Sequence, residues 1–205
     1  MKWYVLLFTL LLALAGCATE PANPQFVVSP NQTLAPPPPD KAQIVFLEPI
    51  NSIQGRAPVG IFKVDGDKRT LLATTGAHSK VAVLFTPGHH VLMANTSGAV
   101  AHFLEINVEG GKRYYVLLRF IYANGFQMRP LRTSGPSDYT VQHRNFPSWV
   151  SETSFVDKTP ASDEFFEKYK EAVTKSQASG WETWLAKTPE QRAELTLNPQ
   201  DAVAE

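Results

Sequence analysis

The sequence predicts a mainly β protein: a small antiparallel β-sandwich with a C-terminal α-helical extension, preceded by a signal peptide and a Pro-rich tether. Three observations predict it. Between Lys41 and Thr133, apolar and polar residues alternate in short runs divided by turn residues about every 8–12 positions, the pattern of half-buried strands. Beyond Ser137 the apolar spacing changes to the three-and-four repeat of an amphipathic helix. Ahead of both lie a short apolar leader and a proline-laden stretch. The chain therefore divides into residues 1–16, 17–40, 41–134 and 135–205.

The leader carries one charge, Lys2, then an apolar run from Trp3 to Ala15, then the small Gly16. A charged start, an apolar run and a small-residue cut site describe a secretory signal peptide. A spanning helix needs about 20 apolar residues, and this run is shorter. The chain's single cysteine, Cys17, follows at once. Leu14-Ala15-Gly16-Cys17 resembles the bacterial lipobox. That resemblance implies diacylglycerol on the Cys17 sulfur, cleavage before Cys17, and acylation of the new amino group by a chain such as palmitate. Each buried methylene contributes about 0.8 kcal/mol, so two or more chains hold a protein stably on a membrane. Ala18, where aspartate would favour inner-membrane retention in many Gram-negative bacteria, implies an outer-membrane protein facing the periplasm. No cofactor beyond the covalent lipid is expected. With its thiol consumed, the chain has no disulfide and must stand on its hydrophobic core.

Charge disfavours one class of partner. The 19 basic and 19 acidic side chains cancel, and removal of residues 1–16 takes away Lys2 alone, leaving 18 against 19. No field gathers nucleic acid.

Residues 17–40 read as a tether. Pro21, Pro24, Pro30 and Pro36-Pro37-Pro38-Pro39 each remove a backbone donor, so no helix or sheet ladder is expected there. At about 3.1 Å per residue, polyproline geometry would reach roughly 70 Å. The strands follow: "AQIVFLE", "APVGIFKV", the hairpin turn Asp65-Gly66-Asp67, "TLLATT", "KVAVLF", "HVLMAN", "AVAHFLEINV" and "RYYVLLRFIY", with Asn124-Gly125 turning into "FQMRPL". Tyr114, Val116, Leu118, Phe120 and Tyr122 share one face; His102, Leu104, Ile106 and Val108 share another. The opposite faces are not very polar, and the C-terminal segment is expected to cover part of them.

In that segment Phe165, Phe166, Tyr169, Ala172, Val173, Trp181, Trp184 and Leu185 keep helical spacing. Pro160 suits a first turn, and Asp163 and Glu164 suit the positive end of the helix dipole. Gly180 is expected to kink or interrupt the helix. Thr188-Pro189-Glu190-Gln191 reads as a capping box. The tail "NPQDAVAE" reads as frayed.

Ala57-Pro58-Val59-Gly60-Ile61-Phe62, Pro87-Gly88-His89-His90 and Gly111-Lys112-Arg113-Tyr114-Tyr115-Val116 carry a family resemblance. Over about residues 41–132 the chain is similar to domain of unknown function 2846, a group of bacterial envelope lipoproteins. The resemblance implies a small β-sandwich on a lipid anchor and no assigned reaction.

Catalytic motifs are missing: the chain has no Gly-x-Ser-x-Gly, no His-Glu-x-x-His, no phosphate loop and no second cysteine. Asp65-Gly66-Asp67 opens like a calcium loop, but Arg69 stands where an oxygen ligand belongs, so it reads as a turn. His89 and His90 point to opposite faces of a strand and, with His78 and His102, read as turn and surface residues rather than metal ligands. No metal site is expected. The aromatic group Phe146, Trp149, Phe155, Trp181 and Trp184 reads first as glue between extension and sheet. Trp149, Trp181 and Trp184 are also the candidate partner-binding residues.

The expected function is a membrane-anchored, non-catalytic binding or accessory module. Its expected partners are the membrane, through the lipid, and an envelope protein complex or the cell wall. The alternative is a small-ligand-binding or hydrolytic envelope protein whose site assembles from scattered residues such as His102, Glu105 or Asp138.

Overall fold

The computed structural model describes residues 23–50 and 57–204. The leader and Leu14-Ala15-Gly16-Cys17 lie outside the described residues. The strands are β1 (Phe26–Val28), β2 (Ala42–Glu48), β3 (Val59–Asp65), β4 (Lys68–Thr75), β5 (Ser79–Phe85), β6 (Gly88–Asn95), β7 (His102–Val108), β8 (Arg113–Ile121), β9 (Gly125–Pro130), β10 (Ser154–Lys158) and β11 (Thr196–Leu197). They form a six-stranded sheet, β1-β10-β5-β2-β8-β9, and a five-stranded sheet, β11-β7-β6-β3-β4. Among the described residues four α-helices accompany them, α1 (Phe146–Ser151), α2 (Pro160–Lys168), α3 (Lys170–Leu185) and α4 (Pro189–Ala193), with a 3-10 turn at Pro199–Asp201. The protein is mainly β, a two-sheet sandwich with C-terminal helices.

Alternation sorts the strand residues as their spacing predicts. Ile44, Phe46, Ile61, Leu92, Leu104, Ile106, Tyr114, Val116 and Leu118 are fully buried in the layer between the sheets. Each such side chain contributes roughly 1.5–3 kcal/mol by leaving water. Tyr122 departs from the expectation: β8 ends at Ile121, and Tyr122 in the turn is 80% exposed. The outer faces are apolar as well, and the C-terminal segment covers both. Val45, Leu47 and Leu117 lie under Leu131, Phe146, Trp149 and Phe155. Phe62, Met93 and Phe103 lie under Phe166, Val173, Trp184 and Leu195.

The extension is not only helical. It adds β10 beside β5 and β11 beside β7, both in parallel. A third parallel pair joins β2 to β8, and the remaining pairings are antiparallel. Five-residue and two-residue strands are too short to show a period in sequence.

The tether expectation is corrected. Residues 26–28, between Pro24 and Pro30, pair antiparallel with β10, Phe26 opposite Lys158 and Val28 opposite Val156. They form an edge strand, where flanking prolines are tolerated because only one side of the backbone needs donors. The Phe26 ring lies against Gly76. Gln32 then imitates a peptide group: its Nε2 donates to Phe155 O at 3.1 Å and its Oε1 accepts from Phe155 N at 2.9 Å. Farther on, Arg113 Nη2 donates to Ala35 O at 2.8 Å, Pro37 is buried, and Pro38 O accepts from Lys41 N at 3.0 Å.

Two further expectations change. Gly180 does not kink a helix; α3 runs unbroken from Lys170 to Leu185, and the break falls at Tyr169, between α2 and α3. The tail is docked rather than frayed: Asp201 is buried, and Val203 N donates to Arg113 O at 2.9 Å. The capping box at Thr188 is present, with Gln191 N donating to Thr188 Oγ1 at 3.3 Å and Thr188 N to Gln191 Oε1 at 3.0 Å. No helix among the described residues is long and apolar enough to cross a membrane.

Candidate functional site

Helix α3 buries Val173, Gln177, Gly180 and Trp184, a stripe at the spacing of a packed helix face. The neighbouring stripe, Thr174, Ala178, Trp181 and Glu182, is rotated just off that seam and overhangs the sheet. Between this stripe and the sheet opens a cleft of about 510 Å³. Its floor is Val64 of β3, Val91 of β6 and Phe103 of β7. Its far wall is the β3–β4 turn, Gly66 and Asp67.

Local chemistry builds each wall. Gly66 adopts φ 58°, which makes the predicted hairpin turn. The turn is clamped to α3 through Gln177: Arg69 Nη1 donates to Gln177 Oε1 at 3.2 Å, and Gln177 Nε2 donates to Gly66 O at 3.4 Å. Arg69 Nη2 also donates to Lys170 O at 3.0 Å. Burial holds the Arg69 pKa below its usual value, with nearby Glu167 opposing the shift. At the other end Trp181 meets Phe103 edge-on, ring centroids 5.0 Å apart.

The three candidate tryptophans separate. Trp184 is 1% exposed and belongs to the core, 6.4 Å from the Phe103 ring. Trp149 is half-buried over the six-stranded sheet, stacked on His143 at 4.8 Å. Trp181 is 37% exposed and lines the cleft. An indole that bares one side at the mouth of an apolar-floored cleft is suited to a ligand; a fully buried one is not. In sequence Asp67 is weighed only as part of a calcium loop and reads as a turn residue, and Gln177, Phe103 and Glu182 are not candidates. The signal available was the 174–178–181 repeat beside the buried stripe.

The scattered residues weighed for hydrolysis do not face one another. His102 shares the inward parity of Leu104, whereas Glu105, three residues on, points to the other face of β7. His102 is held by its ring contact to Asn124 O at 2.8 Å; burial first, then Lys187 and Arg119, lowers its pKa against that bond. Asp138 lines a separate polar cleft with Arg129, Tyr139 and Glu194. His90 contacts Thr86 O at 2.8 Å, and His89 is exposed. Among the described residues no three His, Cys, Asp or Glu side chains are grouped to hold a metal.

One group stands apart from the cleft. Glu48, at the end of β2, continues the inward series Ile44 and Phe46 and is 0% exposed. Among the described residues, neither of its carboxyl oxygens has a hydrogen-bond partner. Burial pushes its pKa up to about 8, with the neighbouring Thr75 hydroxyl opposing the rise without reaching hydrogen-bond geometry.

No protein-family model matches the chain, and no curated protein matches it.

Proposed function

We propose that the chain is a lipid-anchored binding module of a bacterial envelope, held by acyl chains on Cys17 at the periplasmic face of the outer membrane, and that it acts by binding rather than by turnover. The observation that carries the binding reading is Trp181, bared at the mouth of a cleft whose other walls are clamped in place. Support for the anchor is the Leu14-Ala15-Gly16-Cys17 motif at the end of an apolar run. Docking of β1 adds a constraint on the tether. Phe26 is nine residue steps from Cys17, so at about 3.3–3.6 Å per step the domain would stand within roughly 30 Å of the anchoring lipid. Such a protein works beside the membrane surface, on a ligand or envelope component found there.

Detergent co-purification from intact envelopes tests this. Tagged wild type is compared with Cys17→Ser, and mass spectrometry reads the N-terminal lipid and the companions. A lipidated bait whose companions vanish in Cys17→Ser supports an anchored binding module. An unmodified Cys17 overturns the anchor.

A further inference from the structure

We propose that the Trp181 cleft binds a small organic cation of the alkylammonium class. This deepens the binding reading above and rests on it for the location of the site. The argument begins with charge. Among the described residues, two carboxylates, Asp67 and Glu182, line the cleft, and no lysine, arginine or histidine does. The chain as a whole is neutral, so the imbalance is local. The nearest guanidinium, Arg69, is spent in the hairpin clamp on Gln177 Oε1 and Lys170 O. With Lys68 and Lys170 it lines a neighbouring cleft that Asp67 and Thr174 also border, and Lys175 lines a third with Tyr169.

The second argument is which polar groups remain free. Thr174 Oγ1 donates to Lys170 O at 2.8 Å, and both ends of the Gln177 amide are engaged in the hairpin clamp. Asp67 and Glu182 make no side-chain ion pair or hydrogen bond among the described residues. The unused polar capacity of the cleft is therefore anionic acceptors alone.

The third is the apolar remainder. Val64, Val91, Phe103 and the exposed side of Trp181 provide surface for methyl or methylene groups. Indole is the best of the aromatic rings at attracting a cation to its face. A volume of about 510 Å³ lies within the roughly 300–1,000 Å³ range of ligand pockets. An alkylammonium ion satisfies all three features at once: its charge meets the carboxylates, its alkyl groups the floor, and its polarised methyls the indole. An anion would meet two like charges, and a neutral ligand would gain nothing from either carboxylate.

The test uses the full chain in detergent and three probes of matched shape: choline, its neutral isostere 3,3-dimethylbutan-1-ol, and the anion 3,3-dimethylbutanoate. Calorimetry and the indole resonance of Trp181, assigned by its loss in Trp181→Phe, report binding. Choline is expected to bind saturably, the alcohol at least tenfold more weakly, and the anion not at all. Asp67→Asn combined with Glu182→Gln, both at exposed positions, is expected to weaken choline at least tenfold without changing the melting temperature. Equal binding of alcohol and choline, undiminished binding in the double variant, or no saturable choline binding would each overturn the proposal. Cys17→Ser is expected to bind choline as wild type does, so failure of the anchor and failure of the cleft are read separately.

Discussion

Gly180 passes so close to Ala101 that a β-carbon on it would overlap the Ala101 carbonyl oxygen and stand 3.0 Å from the Ala101 β-carbon. This contact seats α3 on the strand β7 side of the sandwich and sets Trp181 and Trp184, one and four residues further along the helix, against Phe103. The glycine that looks like a helix breaker in sequence is the point of closest helix approach.

Gly180→Ala opposes two effects. Helix propensity favours alanine by about 1 kcal/mol. Overpacking costs about 1–3 kcal/mol, and here the obstacle is a backbone oxygen that cannot rotate away. The variant is expected to melt several degrees lower, at about 2–4 °C per kcal/mol for a chain of this size. Calorimetry checks it; a rise in melting temperature would mean that α3 is not pressed against Ala101.

Glu48 makes stability depend on pH. Its folded pKa, about 8, lies above the ordinary 4.5, so between those values the folded chain holds a proton that the unfolded chain has released. The Glu48 contribution to stability therefore falls as pH rises from 4.5 to 8, by up to about 1.4 kcal/mol per unit, and is constant outside that window; His102, with its pKa lowered by burial, contributes the opposite slope just below the ordinary histidine value of 6.5. Glu48→Gln is expected to remove the Glu48 slope and to exceed wild type in stability at pH 8. Urea denaturation at pH 5, 6.5 and 8 measures both.

Arg132 holds the C-terminal segment to the sandwich. Its Nη1 donates to Asp201 Oδ2 and to Thr196 O, each at 2.6 Å, and its Nη2 donates to Ala193 O at 2.7 Å. Asp201 is 3% exposed. Arg132→Ala strands that carboxylate with the Asn198 N–H as its remaining donor, and breaking such a pair costs about 3 kcal/mol. Hydrogen exchange across residues 193–203 is expected to accelerate, and the denaturation midpoint to fall. An unchanged midpoint would show that the tail is held without it.

Gln32 closes the N-terminal segment onto β10 through the paired bonds to Phe155. Gln32→Ala removes both and is expected to cost about 1–2 kcal/mol locally. Faster proteolysis within residues 23–35, with the remaining domain intact, is the expected readout. Wild-type protection would place the hold on the β1–β10 pairing, Phe26 and the Arg113–Ala35 bond.

The sequence by itself determined the inner faces of the long strands. In β7 and β8, period-two alternation assigns Leu104, Ile106, Tyr114, Val116 and Leu118 to the core because neighbouring strand residues must point oppositely. It also determined the Asp65-Gly66-Asp67 turn and the Thr188 cap, whose bonds run between residues near in sequence. Tertiary structure alone decided what depends on distant partners. β1, β10 and β11 exist because β5, β7 and one another supply backbone groups that residues 26–28, 154–158 and 196–197 cannot supply themselves. Trp181 and Trp184 are three residues apart on one helix, yet one lines a cleft and the other fills the core. Both meet Phe103, and their difference comes from what else lies opposite each: an open margin of sheet bounded by the β3–β4 turn for Trp181, the packed cluster of Met93, Ala101 and Leu195 for Trp184. Local periodicity tells which way a side chain points, and only the packed neighbours tell whether anything meets it there.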